Sequence, residues 1–134
     1  MTATSDKTSK ALIENFVKAF QTMNIEALDS LMDQDIIMYV ANAYGAPDKV
    51  EGRDSLIKRF QEVDYTQAEI KLTITQILTI ESEKIMAMIH VTACKNNIDF
   101  ENFAAFVFYI KNNKINFIWQ VDGKPADSDK FWKS

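Results

Sequence analysis

At 134 residues, with 47% hydrophobic and 25% charged side chains, the chain suits one soluble domain that buries roughly two-thirds of its unfolded surface. The formal net charge is −4 and Lys and Arg are scattered singly, which argues against nucleic acid as a partner. The single cysteine, Cys94, excludes an intramolecular disulfide and a cysteine-built zinc site, and no apolar run reaches the ~20 residues of a membrane span.

Residues 1–9 read as a flexible polar tail, and Met1 to Lys10 lack the apolar core of a signal peptide. A cytoplasmic protein is the resulting expectation. Leu12, Phe16, Ala19, Phe20 and Met23 recur at three and four residues, which predicts a helix with one apolar stripe. Asn24 suits an N-cap for a second short helix carrying Ile25, Leu28, Leu31 and Met32. From Asp35 to Asn42 the period changes to two, predicting a strand with Ile36, Met38 and Val40 on one face. Tyr44-Gly-Ala-Pro-Asp-Lys is turn chemistry and predicts a long loop. Gly52-Arg-Asp-Ser opens a third helix, with Leu56, Phe60 and Val63 inward and Ile57 beside them.

Everything from Glu69 reads as strand. Ile70, Leu72 and Ile74 alternate with polar residues, and Glu81-Ser-Glu turns the chain into Lys84 to Cys94. Asparagine tolerates the positive φ of tight primed turns, so Asn96-Asn97 and Asn112-Asn113 predict two hairpins. The order α-α-β-α-β-β-β-β predicts an α+β fold, with helices packed into one face of a curved antiparallel sheet. Residues 10–124 form that domain, and 125–134 read as a C-terminal tail.

Strand alternation in the last hairpin collects Phe100, Phe106, Phe108, Phe117 and Trp119 on one side. The other side collects Glu101, Phe103, Ala105, Val107, Ile118, Gln120 and Asp122. Continuous pairing through both asparagine turns sets His90 opposite Phe103, Phe103 opposite Asp122, Thr92 beside Glu101, and Ala105 between Met88 and Gln120. That register predicts a concave face of Met86, Met88, His90, Thr92, Glu101, Phe103, Ile118, Gln120 and Asp122. His90 and Asp122 would lie ~10 Å apart across two strand spacings, a gap suited to a small ligand. A slip of one residue would reverse the assignment.

The helix break at Met23-Asn-Ile-Glu-Ala-Leu, the Val50-Glu-Gly-Arg-Asp-Ser-Leu start of helix three and the closing Lys114-Ile…Trp119-Gln-Val-Asp122 resemble the nuclear transport factor 2-like superfamily. The likeness is to its SnoaL-like, ketosteroid-isomerase-like branch, over about residues 10 to 124. The resemblance implies a cone-shaped fold, a pocket between helices and inner sheet face, and dimerisation through the outer face. It also places the steroid isomerases' tyrosine, base and acid at Phe16, Val40 and Ala105. None of these can donate or take a proton, so isomerase chemistry by that mechanism is not expected.

Phe16, Phe20, Met38, Val40, Met86, Met88, Thr92, Glu101, Phe103, Ala105, Ile118 and Gln120 are therefore the expected pocket residues. His90 and Asp122 are the acid/base candidates, against the plainer readings of a core histidine and a turn-capping aspartate. Phe106, Phe108, Phe117 and Trp119 are the expected homodimer face. One histidine and scattered carboxylates form no recognisable metal set, and no cofactor motif occurs. The expected function is binding of a small, partly apolar molecule, with cofactor-independent cyclase, isomerase or dehydratase chemistry as the enzymatic form. The alternative is a non-catalytic interaction or carrier module acting as a homodimer.

Overall fold

The computed structural model describes residues 6–62 and 68–133. Its elements are α1 (Asp6–Gln21), α2 (Ile25–Leu31), β1 (Met32–Ala41), β2 (Pro47–Glu51), α3 (Arg53–Gln61), β3 (Lys71–Glu81), β4 (Lys84–Lys95), β5 (Ile98–Lys111), β6 (Lys114–Asp122) and α4 (Pro125–Lys133). The strands form one open, curved sheet in the order β2-β1-β6-β5-β4-β3. Among the described residues, β1 and β6 run parallel and every other neighbouring pair is antiparallel.

The helices form where apolar spacing demands them. Ile13, Phe16 and Val17 of α1 are buried, as are Leu28 of α2 and Leu56, Ile57 and Phe60 of α3. Asn24 caps α2, its Oδ1 accepting the Ala27 N–H at 3.1 Å. Gly52, with φ of 91°, turns the chain into α3 while its N–H donates to the Ile36 carbonyl at 2.8 Å. Together with Ile85, Ile89, Phe108, Ile110, Ile115 and Ile118 from the sheet, these side chains make one core on its concave side. Val63, expected on the inner face of the third helix, lies outside the described residues.

Three differences from the sequence reading concern where elements lie. Pro47–Glu51, expected as loop, pairs with β1 as an edge strand. The expected tail from residue 125 is helix α4, whose Phe131 is buried with Ala68 and Ala93 in a small second core. At the other end, α1 already begins at Asp6, and Ser9 is wholly buried.

The largest difference is one of phase. Both asparagine turns form, with Asn96, Asn97, Asn112 and Asn113 all at positive φ. His90 lies opposite Phe103 and Thr92 opposite Glu101, as the turns dictate. In the final hairpin, Ile110 pairs with Ile115 but Tyr109 pairs with Phe117, so Asn116 is an extra, unpaired residue. Beyond this bulge Asp122 faces Ala104 and Gln120 faces Phe106. The side-chain phase of β6 is therefore shifted by one residue against β5 and β4.

Candidate functional site

The bulge decides what the concave face presents. Phe100, Asn102, Ala104, Phe106 and Phe108 of β5 line a cavity of about 970 Å³, together with Ile89 and Val91 of β4. Gln120 and Asp122 of β6 and Met38 and Val40 of β1 join them from the sheet. Phe16 and Phe20 of α1 and Phe60 of α3 supply the helical wall. The Asn42–Tyr44 turn and α4 complete the rim, the latter through Pro125, Ser128, Asp129, Trp132 and Lys133.

Apolar side chains dominate, and the polar groups fall into two sets. One lies at the ends of β5 and β6. Asn102, only 3% exposed, donates through Nδ2 to Asp122 Oδ1 at 2.7 Å. The same Asp122 oxygen accepts the Lys124 N–H at 2.8 Å. Its other oxygen has no partner among the described residues. Gln120 accepts the Ala41 N–H at 3.1 Å through Oε1, which leaves its amide N–H groups unpartnered among the described residues. Two positions apart on one strand, the free carboxylate oxygen and the free amide donor sit on the same face, roughly 7 Å apart along the backbone.

Close backbone approach holds this corner. The Gly123 N–H donates to the Phe103 carbonyl at 2.8 Å, and a Cβ at position 123 would stand 2.6 Å from that oxygen. That clash restricts position 123 to glycine.

The second set lies at the mouth. Asn42 Nδ2 donates to Asp48 Oδ1 at 3.1 Å, and the other Asp48 oxygen faces Arg59 at 3.4 Å. Arg59 also meets Glu62 at 3.9 Å, and Lys133 pairs with Asp129 at 2.8 Å within α4. Phe131 stacks on Phe100 at 4.7 Å, and Lys95 donates to the Trp132 carbonyl at 3.1 Å; these contacts seat α4 against the sheet.

Of the residues expected in the pocket, Phe16, Phe20, Met38, Val40, Gln120 and Asp122 line this cavity. Ile118 is fully buried in the core beneath it. His90, Met86, Met88, Thr92, Glu101, Phe103 and Ala105 face the opposite way, because the bulge reverses the expected phase of β4 and β5. His90 therefore does not confront Asp122 across a ligand. Its Nε2 lies 2.8 Å from Glu101 Oε2, and its ring stacks on Phe103 at 4.7 Å. Phe106 and Phe108, expected at the dimer face, point into the cavity, whereas Phe117 and Trp119 remain outside.

Sequence reading missed Asn102 and the α4 residues, and put Phe100 on the outer side, whereas it lines the cavity. A signal for α4 was present: Pro125 in the first turn, Asp127 near it, and Lys130 and Lys133 in the last turn follow helix-end chemistry. Among the described residues, no group of three His, Cys, Asp or Glu side chains could hold a metal ion. No described helix is long and apolar enough to cross a membrane.

Cys94 belongs to a separate shallow depression with Glu69, Asp99 and Glu101. A hydrogen bond to Asp99, burial, and the Asp99 and Glu69 charges all push its thiol above the ordinary range. Thiolate is the reactive form, so Cys94 should react slowly with Ellman's reagent at pH 8. Asp99→Asn removes one of those charges and should speed the reaction severalfold; an unchanged rate would show that Asp99 does not control the thiol.

The cone of three N-terminal helices against a curved six-stranded sheet is the nuclear transport factor 2-like fold. Residues 13–118 match the SnoaL-like domain family, and the chain belongs to it. No curated protein matches the sequence. Among solved structures, Bal32a from a soil-derived mobile gene cassette superposes with a TM-score of 0.77 at 15% identity, covering 94% of this chain and 97% of its own. An LEH-like epoxide hydrolase from M. tuberculosis gives 0.73 at 11% identity, covering 95% and 92%. An NTF2-like protein from Burkholderia xenovorans gives 0.71 at 12% identity, covering 100% and 99%. At these identities the likeness is one of fold.

Proposed function

We propose that the protein binds a small, partly apolar carbonyl compound in the cone and moves a proton on it without a cofactor. One observation carries this reading: an aromatic-walled cavity lined by both Asp122, one of whose carboxylate oxygens has no partner among the described residues, and Gln120, whose amide N–H groups have none there either. In this reading Asp122 takes the proton from the carbon next to the carbonyl and returns it. Gln120 donates a hydrogen bond to the substrate oxygen as it gains charge. Asn102 holds the carboxylate from behind. Cyclisation, isomerisation and dehydration all contain such a step. His90 has no part in it.

The test is hydrogen–deuterium exchange at carbon, which needs no knowledge of the natural substrate. In D₂O, the protein should accelerate loss of the methyl proton signal of naphthyl methyl ketone. Asp122→Asn should slow that exchange by about 10²–10⁴-fold, the usual contribution of a general base. Binding without acceleration would instead support the non-catalytic carrier.

The sheet's outer face supports a second element of the proposal, a homodimer. Trp119, Val121, Tyr109 and Phe103 are each at least 39% exposed there, an apolar patch of the kind a second copy covers.

A further inference from the structure

The charges in the cavity wall are unevenly matched. Among the described residues, the wall contains four carboxylates, Asp48, Glu62, Asp122 and Asp129, and two cations, Arg59 and Lys133. Both cations are already engaged: Arg59 lies 3.4 Å from Asp48 and 3.9 Å from Glu62, and Lys133 lies 2.8 Å from Asp129. Asp122 has no basic partner among the described residues. Its donors are the neutral Asn102 amide and the Lys124 backbone N–H, while the Lys124 ammonium reaches away to the Glu101 carbonyl at 3.1 Å. A ligand that uses the free Asp122 oxygen thus meets an uncompensated negative charge among phenylalanine rings. An anionic group there would be repelled in surroundings that screen poorly.

Resting on the reading above, we infer that the cavity selects by charge. It accepts an uncharged ring-bearing carbonyl compound, a ketone or ester, and rejects the free carboxylate of the same shape. A negative ligand would have to displace Arg59 or Lys133 from its own carboxylate to find a counter-charge, and would leave that carboxylate unpaired. An uncharged carbonyl needs only the Gln120 amide.

Naphthyl methyl ketone and naphthoate share a ring system and differ in charge. Calorimetric titration of the full chain at neutral pH should show the ketone binding roughly tenfold or more tighter than naphthoate. Asp122→Asn should narrow that ratio by strengthening naphthoate binding. A second measurement uses the unaltered chain: raising salt to about 0.3 M should improve naphthoate binding relative to the ketone, because screening weakens the repulsion. Equal affinity for both probes in the unaltered chain would overturn charge selection while leaving the carbonyl reading standing. A ratio unmoved by both salt and Asp122→Asn would overturn the assignment to Asp122. Failure of the ketone to bind would overturn this inference and the carbonyl reading together.

Discussion

Phe108→Ala is expected to cost about 3–5 kcal/mol of stability and to lower Tm by roughly 10–15 °C, with the oligomeric state unchanged. Phe108 is 0% exposed at the floor of the cone. Its ring meets Phe16 edge-on at 5.7 Å and lies 5.9 Å from Phe106. Removing it empties the junction between α1 and β5, where the rings of Phe16, Phe106 and Phe108 meet. Calorimetry and light scattering on the same sample check both halves of the expectation. A variant that kept its Tm but fell apart into monomers would return Phe108 to the outer face, where uninterrupted strand alternation would put it.

Trp119→Glu should do the opposite. Trp119 packs against Tyr39 at 4.6 Å, Phe117 lies 5.8 Å from Tyr39, and Tyr109 lies 4.9 Å from Phe117. These rings form the centre of the outer patch, and a carboxylate placed there would be buried without a partner in a dimer. The expected result is at least about 100-fold weaker self-association, as for loss of an aromatic hot spot. The monomer should lose no more than about 1 kcal/mol, since Trp119 is already partly exposed. Light scattering of the unaltered chain is the control: a monomer at high micromolar concentration would end the dimer proposal outright.

These paired expectations show where sequence reading succeeds and where it stops. The apolar stripe of α1, the Asn24 cap, the glycine at position 52 and the two asparagine turns are local signals, each decided within a few residues. Met38 and Val40 share a face in β1 because the pairing there runs without a shift from Ile37 onward, and Ile36 is buried with Met38. Gln120 and Asp122 also lie on the concave side, whereas the β4 and β5 residues matched to them do not. One unpaired residue separates the two outcomes. Asn116 carries no mark that distinguishes it from a paired strand residue, and its side-chain oxygen is buried without a hydrogen-bond partner among the described residues. Its placement follows from packing: Ile110, Ile115, Ile118 and Phe108 are all buried, which the unbulged register cannot arrange. The long-range partnership of Asn102 with Asp122, twenty residues apart, was hidden for the same reason.

The extra residue in β6 works as a frame shift written into the sheet. Turn end and cavity end of one hairpin are counted in different frames. Phe106 and Phe108 on one strand, and Phe117 and Trp119 on the other, thereby serve opposite sides of a single layer. The spacing between Asn113 and Phe117, rather than the identity of any aromatic residue, decides which of them faces the cavity and which the outer side of the sheet. A family built on this hairpin could exchange the roles of its two faces by gaining or losing one residue.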